Sequence, residues 1–292
     1  MVLLGGAMSL VLGWANRAFH VPVDPRVEAV GAVLPGANCG GCGYVGCREF
    51  AEAVARGEAA VTLCTVGGAS CAAQIAAVMG VEVGQSWPYR AVVHCAAASG
   101  QRLGRTPYVG VKSCASANLV AGYQGCAYGC LGLGDCVRAC SFDAIHVVDG
   151  LARVDYTKCV GCRACAEVCP RKIITMVPFK SERMLVVACS NQDAGKDVKN
   201  VCRVGCIGCT ACSKNSALIE MMGSIPSINY GKLDPNEEGD PFMLAVEKCP
   251  MEALLYVGRP SPADVEATKD EDLPERVLAE FESTVDKTEW RG

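Results

Sequence analysis

Histidine is scarce in this chain: 3 residues in 292. That excludes His-rich metal sites and argues against haem held by histidine. Aromatic residues make up 6% of the chain, so no single large aromatic core is expected. A dinucleotide-binding glycine fingerprint, a Walker motif and a flavin signature are all missing; the Gly-rich loops lie beside cysteines, which already explain them. There is no Lys/Arg cluster, and the formal charge of −4 gives no electrostatic footprint for nucleic acid. The opening stretch Met1–Ala15 is apolar and uncharged, but it is shorter than the ~20 residues a membrane-spanning helix needs. No cleavable signal peptide is evident.

Cysteine is abundant instead, with 21 residues, far more than core packing uses, so chemistry must account for it. Disulfides suit small secreted domains, and this chain is neither small nor marked for secretion. The cysteines fall into runs. The central one, Gly125–Pro170, holds two groups of four. Its second half reads Cys159-x2-Cys162-x2-Cys165-x3-Cys169-Pro170, the run with which two-cluster ferredoxins hold [4Fe–4S] cubes. Its first half reads Cys126-x3-Cys130-x5-Cys136-x3-Cys140, a widened form of the same run, with Ser141 in the place of the usual proline. In such runs three close cysteines wrap one cluster and the fourth crosses to the other. That logic assigns one cluster to Cys126, Cys130, Cys136 and Cys169 and another to Cys140, Cys159, Cys162 and Cys165. Between the halves, two alternating stretches flank Asp149-Gly150, a hairpin signature that fits a small βαββαβ ferredoxin fold.

Two further sets follow. Near the N-terminus, LPGANCGGCGYVGC gives Cys39-x2-Cys42-x4-Cys47-x16-Cys64, with glycines that let the backbone close around an inorganic core. Structural zinc is the competing occupant. A helix over residues 48–56 returns the chain to Cys64. Downstream, Cys206-x2-Cys209-x2-Cys212 recurs with Ser216 where a fourth cysteine would stand, and Cys249-Pro250 follows. This reads as a degenerate ferredoxin unit that keeps one cluster on Cys206, Cys209, Cys212 and Cys249. A competing set replaces Cys249 with Cys202. Cys71, on a small-residue helix over residues 67–80, reads as a buried thiol, and Cys95 and Cys114 read as core thiols. Four clusters, each −2 with its thiolates, would take the net charge to roughly −12.

The expected architecture is α+β: an N-terminal membrane helix, a small Cys-rich [4Fe–4S] domain, then ferredoxin-like βαββαβ domains. The expected boundaries are 1–20 for a membrane anchor, 21–85 for the four-Cys domain, 86–118 for a linker, 119–180 for the two-cluster ferredoxin domain, 181–258 for the degenerate one and 259–292 for a charged tail. A strand is expected over residues 89–94 and another over 184–188. Residues 21–35 read as a Pro-punctuated connector. A tail helix is expected from Asp272, with Val277, Leu278, Phe281 and Val285 as its apolar stripe. A buried helix or a signal-peptide core competes with the anchor reading of Met1–Ala15.

At LPGANCGGCGYVGC and GCAYGCLGLGDC the sequence resembles the B subunits of Rnf electron-transport complexes, over most of residues 1–258. The resemblance implies a membrane-anchored electron carrier on the cytoplasmic side of the cell's inner membrane. It implies that the chain accepts electrons from reduced soluble ferredoxin and passes them within a complex toward NAD, coupled to Na⁺ or H⁺ translocation. Other subunits of that complex and soluble ferredoxin are the implied partners. No general base or nucleophile is needed, because the chain carries electrons. A soluble redox adaptor without ion coupling is the rival reading, and a metal scaffold that carries no current is another. Lys158, Arg163, Arg171 and Lys172 flank the second run, either as a steering patch for an acidic ferredoxin or as ordinary solvated charge.

Overall fold

The computed structural model describes residues 2–19, 24–84, 86–104, 106–120, 122–235 and 239–259. The expected tail helix from Asp272 lies outside them. Two compact units divide the chain, Met1–Gly84 and Gln85–Gly292.

The first unit is helical. Its helices are α1 (Val2–Ala18), α2 (Pro25–Val33), α3 (Cys47–Ala55) and α4 (Gly68–Met79). Among the described residues no helix is long and apolar enough to cross a membrane. The stretch read as a connector contains α2. Asp24 caps it by accepting the Arg26 N–H at 2.8 Å, and Pro25 sits at its first position, where no N–H is needed. Val30, Leu34, Phe50, Val54 and Ile75 close the core between α2, α3 and α4. Fully burying a side chain the size of Phe50 contributes about 1.5–3 kcal/mol. Helix α4 stops at Gly80, whose φ of 66° is the left-handed terminator a Cβ would strain.

The second unit contains one plan twice. The first copy has strands β1 (Tyr89–Val93), β2 (Ile145–Val148), β3 (Leu151–Val154) and β4 (Ile174–Pro178), with short helices α5 (Cys114–Ala117), α6 (Asp135–Arg138) and α7 (Ala164–Glu167). Strands β1 and β4 pair antiparallel, Val93 opposite Ile174, and β2 and β3 form a hairpin. Asp149 and Gly150 turn that hairpin with φ of 47° and 70°, the twist of a two-residue type I′ loop. Residues 86–118, expected as a linker, supply β1 and α5 and so belong to this copy. The strand at 89–94 was legible, but its pairing with β4 some 80 residues later carries no local signal.

The second copy follows the same order: β5 (Arg183–Val187), α8 (Gly195–Val201), α9 (Ala211–Asn215), β6 (Ile219–Met222), β7 (Ile225–Ile228), α10 (Met243–Glu247) and β8 (Leu254–Gly258). Strands β5 and β8 pair antiparallel, and β6 and β7 form its hairpin. The fold is thus mixed α and β. Its ferredoxin part is two βαββαβ copies, each a pair of two-stranded sheets.

Candidate metal centres

All 21 cysteines are free thiols. In the second unit most of them gather around cavities. Cys140, Cys159, Cys162 and Cys165 line one cavity, with Ala91 and Ile145 behind them. Cys206, Cys209, Cys212 and Cys249 line another, and Cys202 is not among its walls. The competing set with Cys202 in place of Cys249 is therefore not the one brought together. Cys209 is exposed, the outermost thiol of that group.

The third cavity differs from expectation. Cys130, Cys136 and Cys169 line it, but the fourth cysteine in its wall is Cys114, not Cys126. The backbone explains the exchange. In the standard loops Cys159–Cys165 and Cys206–Cys212, the glycine before the middle cysteine and the residue after that cysteine both take positive φ. These are Gly161 (75°) with Arg163 (72°), and Gly208 (65°) with Thr210 (62°). Gly132 (74°) and Gly134 (77°) repeat the pair around Leu133. The first run is therefore Cys130-x2-Leu133-x2-Cys136-x3-Cys140, at ordinary spacing with leucine in the middle cysteine's place. The run is not widened, and Cys126 lies outside it. A Cβ on Gly132 would stand 2.1 Å from the Gly150 carbonyl oxygen, so the loop closes only with glycine there.

Cys114 reaches this cavity through Asp135. The Asp135 carboxylate accepts the backbone N–H groups of Cys114 and Ala115, capping α5, and Arg138 holds the same carboxylate in an ion pair. Burial pushes the Cys114 thiol up to about 11 and that of Cys165 up to about 12, and raises Cys130 and Cys136 as well. A bare thiolate is therefore disfavoured in these walls. A bound cationic core reverses that preference and releases the thiol protons.

In the first unit Cys42, Cys47 and Cys64 pack against one core cluster, and Cys39 sits half-buried three residues before Cys42. Asn38 shapes the loop: its Oδ1 accepts the Cys47 N–H at 2.9 Å, and Glu49 takes the Val45 N–H at 2.8 Å. Gly67 N–H points at the Cys64 sulfur at 3.4 Å. A Cβ on Gly67 would stand 2.6 Å from the Cys71 sulfur and 3.2 Å from that of Cys64, so glycine keeps this space open. Cys71 instead donates to the Val33 carbonyl oxygen at 3.7 Å.

The donor set of the three cavities, four cysteines to each, fits a cluster. Among the described residues no group of three or more His, Cys, Asp or Glu converges as one metal ion requires. A lone zinc draws four ligands to about 2.3 Å from a point. A four-iron core keeps its cysteines apart, each on its own iron. Backbone donors point at the crossing sulfurs, Ala144 N–H at Cys140 and Ala253 N–H at Cys249, both at 3.4 Å. Asp143 and Glu252, each three residues past its cysteine, take the same positive φ of 50° and 49°. The two turns are copies of one device.

The basic residues of the second run divide. Lys158 pairs with Asp143 at 2.5 Å, and Arg171 is held by the carbonyl oxygens of Cys126 and Gly129 and by Asn118 Oδ1. Arg163 and Lys172 are exposed.

Comparison with known proteins agrees with this geometry. The FeS family model, for an Fe-S cluster, matches residues 34–66, and the Fer4 model, a 4Fe-4S binding domain, matches residues 152–175. The B subunit of the Na(+)-translocating ferredoxin:NAD(+) oxidoreductase complex of Acetobacterium woodii is 41% identical over 257 residues, covering 85% of this chain and 75% of that protein. The B subunit of the ion-translocating oxidoreductase complex of Methanosarcina acetivorans is 40% identical over 213 residues, covering 72% of this chain and 80% of that protein. The B subunit of the proton-translocating ferredoxin:NAD(+) oxidoreductase complex of Clostridium ljungdahlii is 38% identical over 209 residues, covering 70% and 73%. With two ferredoxin copies, an N-terminal match to the FeS family model and relatives matched over most of their length, the chain belongs to the family of B subunits of ion-translocating, Rnf-type oxidoreductase complexes.

Proposed function

We propose that the chain is the iron–sulfur electron relay of an Rnf-type complex, taking electrons from reduced ferredoxin and passing them toward NAD, with the flow coupled to Na⁺ or H⁺ translocation. The observation that carries this reading is the gathering of cysteines, four to a cavity, on the loops of a repeated ferredoxin fold. Bound [4Fe–4S] clusters supply reversible one-electron transfer without proton or group chemistry. The residues we propose as ligands are Cys39, Cys42, Cys47 and Cys64; Cys114, Cys130, Cys136 and Cys169; Cys140, Cys159, Cys162 and Cys165; and Cys206, Cys209, Cys212 and Cys249.

The chain's own part is to hold and tune. Buried apolar walls keep water from the sulfurs, and the N–H groups of Gly67, Ala144 and Ala253 donate to them, which favours the more negative, reduced form. Exposed Cys209 makes its site the accessible end for exchange with a partner. Exposed Arg163 and Lys172 lie beside the Cys159–Cys169 run and would favour an acidic ferredoxin there.

We also assign helix α1 to attachment at the cytoplasmic face of the cell membrane, among the other subunits. Leu10, Val11, Leu12 and Trp14 are all exposed on it, and its only charge is Arg17. At about 1.5 Å per residue its 17 residues reach about 25 Å, so neighbouring subunits or tilted insertion would complete the contact.

The test is anaerobic mixing of the iron-loaded chain with reduced soluble ferredoxin. Rapid bleaching of its visible absorbance, reversed by an oxidant, is expected. Absence of transfer, or stoichiometric zinc in place of iron, overturns the reading.

A further inference from the structure

One cavity is not used by the sites above, and four of the five cysteines they leave over line it. Cys95, Cys126, Cys189 and Cys202 line a single cavity together with Arg102 and Asn191. We propose that this is a fifth [4Fe–4S] site, built at the junction of the two ferredoxin copies and ligated by two cysteines from each.

The four residues are related by the repeat. Cys95 stands two residues past the end of β1, in Val92-Val93-His94-Cys95; Cys189 stands two past the end of β5, in Val186-Val187-Ala188-Cys189. Cys126 opens Cys-x2-Gly-Cys-Leu-Gly, four residues before Cys130; Cys202 opens Cys-x2-Gly-Cys-Ile-Gly, four before Cys206. Each copy therefore adds the same two cysteines to its ferredoxin plan. Four thiols at equivalent places in two facing copies are the ligand number a cube takes.

The junction is tied before any cluster binds. His94 Nδ1 lies 2.6 Å from the Val187 carbonyl oxygen, and Ser190 Oγ donates to the His94 carbonyl oxygen at 2.8 Å. Leu103 N–H donates to Val201 and Arg203 N–H to Gln101, both at 3.0 Å, so the Cys202 segment is bridged to the first copy. Glycine serves the same place in both copies: a Cβ on Gly129 would stand 3.2 Å from Gln124 Nε2, and one on the matching Gly205 would stand 2.5 Å from Val198 Cγ1.

Charge points to an anionic occupant. Arg102 is 7% exposed, and its Nη1 is buried with no hydrogen-bond partner among the described residues. A buried guanidinium with an unused donor is costly unless an anion faces it. A [4Fe–4S]²⁺ core with four thiolates carries −2 and supplies that anion. Asn191, 2% exposed, donates its Nδ2–H to the Cys126 sulfur and its backbone N–H to the Cys189 sulfur, both at 3.5 Å, the pattern that tunes cluster sulfurs.

The site links the copies. Cys126 is joined by one turn of chain to Cys130 of the Cys114 site, and Cys202 by one turn to Cys206 of the last site. One electron arriving from a reduced neighbouring cluster oxidises that neighbour, and no bond or proton changes. This relay role rests on the electron-carrier reading above; the site itself does not. The five sets together use every cysteine except Cys71.

The test is iron and acid-labile sulfide per chain on the anaerobically prepared, reconstituted full chain. About twenty of each are expected, against about sixteen for four clusters. Cys95→Ser and Cys189→Ser, one in each copy, should each lose about four irons and keep the rest. About sixteen in the wild type, unchanged in both variants, overturns the proposal. Arg102→Gln guards against variants that misfold: all four thiols remain, and one cluster signal in potentiometric EPR should move to lower potential because the reduced, more negative form loses a cation. Unmoved signals overturn the proposal. A chain with twenty irons that takes no electrons from reduced ferredoxin would instead sink the carrier reading and leave the site standing.

Discussion

The Asp135 carboxylate accepts the backbone N–H of Cys114 at 2.9 Å across 21 residues of sequence. It takes the N–H of Ala115 as well, at 3.0 Å, so both oxygens are used. Asp135 immediately precedes Cys136, and the contact brings Cys114 to the cavity that Cys136 lines.

Asp135→Ala should release this end of α5. A helix cap of this kind contributes about 1 kcal/mol, enough to loosen one ligand without unfolding the unit. Several-fold faster bleaching of one cluster in air is expected. Asp135→Asn keeps one acceptor oxygen and should fall between. The measurement is the rate of absorbance loss with iron counted at intervals, and an unchanged rate in Asp135→Ala would remove the carboxylate from the account.

Local signals were legible where spacing carries them. Residues 159–169, the hairpin at Asp149-Gly150, the Cys206–Cys212 loop and helices α3 and α4 all follow from cysteine spacing, turn residues or small-residue patterning. The pairing of β1 with β4 and of β5 with β8 is not legible, because partners about 70 to 90 residues apart leave no periodic trace. Cys114 has no motif around it, and a capping contact rather than sequence proximity brings it to its cavity. Counting cysteines alone gives the first run a widened spacing that takes in Cys126. Matching Gly132 and Gly134 to Gly161 and Gly208 would have shown Leu133 in a cysteine's place, and comparing Cys126-x2-Gly-Cys with Cys202-x2-Gly-Cys would have paired the two extra thiols. α2 was hidden by reading the prolines as breaks, although Asp24-Pro25 is a start signal.

Cys249→Ser should remove one cluster and leave the others. Cys249 shares its cavity with Cys206, Cys209 and Cys212, and its sulfur accepts the Ala253 N–H at 3.4 Å. A serine oxygen is a harder and more basic ligand than a thiolate, ill-suited to a soft cluster site. Iron per chain should fall by about four. Iron equal to the wild type would return the last ligand to another residue.

Cys71→Ala should leave iron unchanged. The Cys71 thiol faces the Val33 carbonyl, and burial, followed by the neighbouring Cys64, pushes it up to about 11. A thiol raised this far stays protonated near neutral pH and gains reactivity only as the solution approaches pH 11. At pH 8 about one in a thousand molecules would carry the thiolate there. Alkylation of the folded, iron-loaded chain at pH 8 should therefore spare Cys71, read by peptide mass after unfolding. Rapid labelling, or loss of about four irons in Cys71→Ala, would place it among the ligands.

Leu133 offers a rescue experiment. It occupies the position held by Cys162 and Cys209 in the standard loops, between two glycines with the same positive φ. It is 1% exposed and packs in one apolar cluster with Cys114, Tyr108, Tyr123 and Leu131. Cys114→Ala should cost the site its fourth thiol and about four irons. Adding Leu133→Cys should restore them, because the loop already has the conformation that aims a middle cysteine at the core. Shrinking a buried leucine costs stability, about 1–3 kcal/mol, so recovery should be complete in iron and partial in thermal resistance. Leu133→Cys alone should gain no iron, since the site then has five thiols for four positions. Iron and sulfide counts on the three variants decide it: failure of the double variant to regain iron would mean that Leu133 does not stand in a ligand's place and that the first run has some other register.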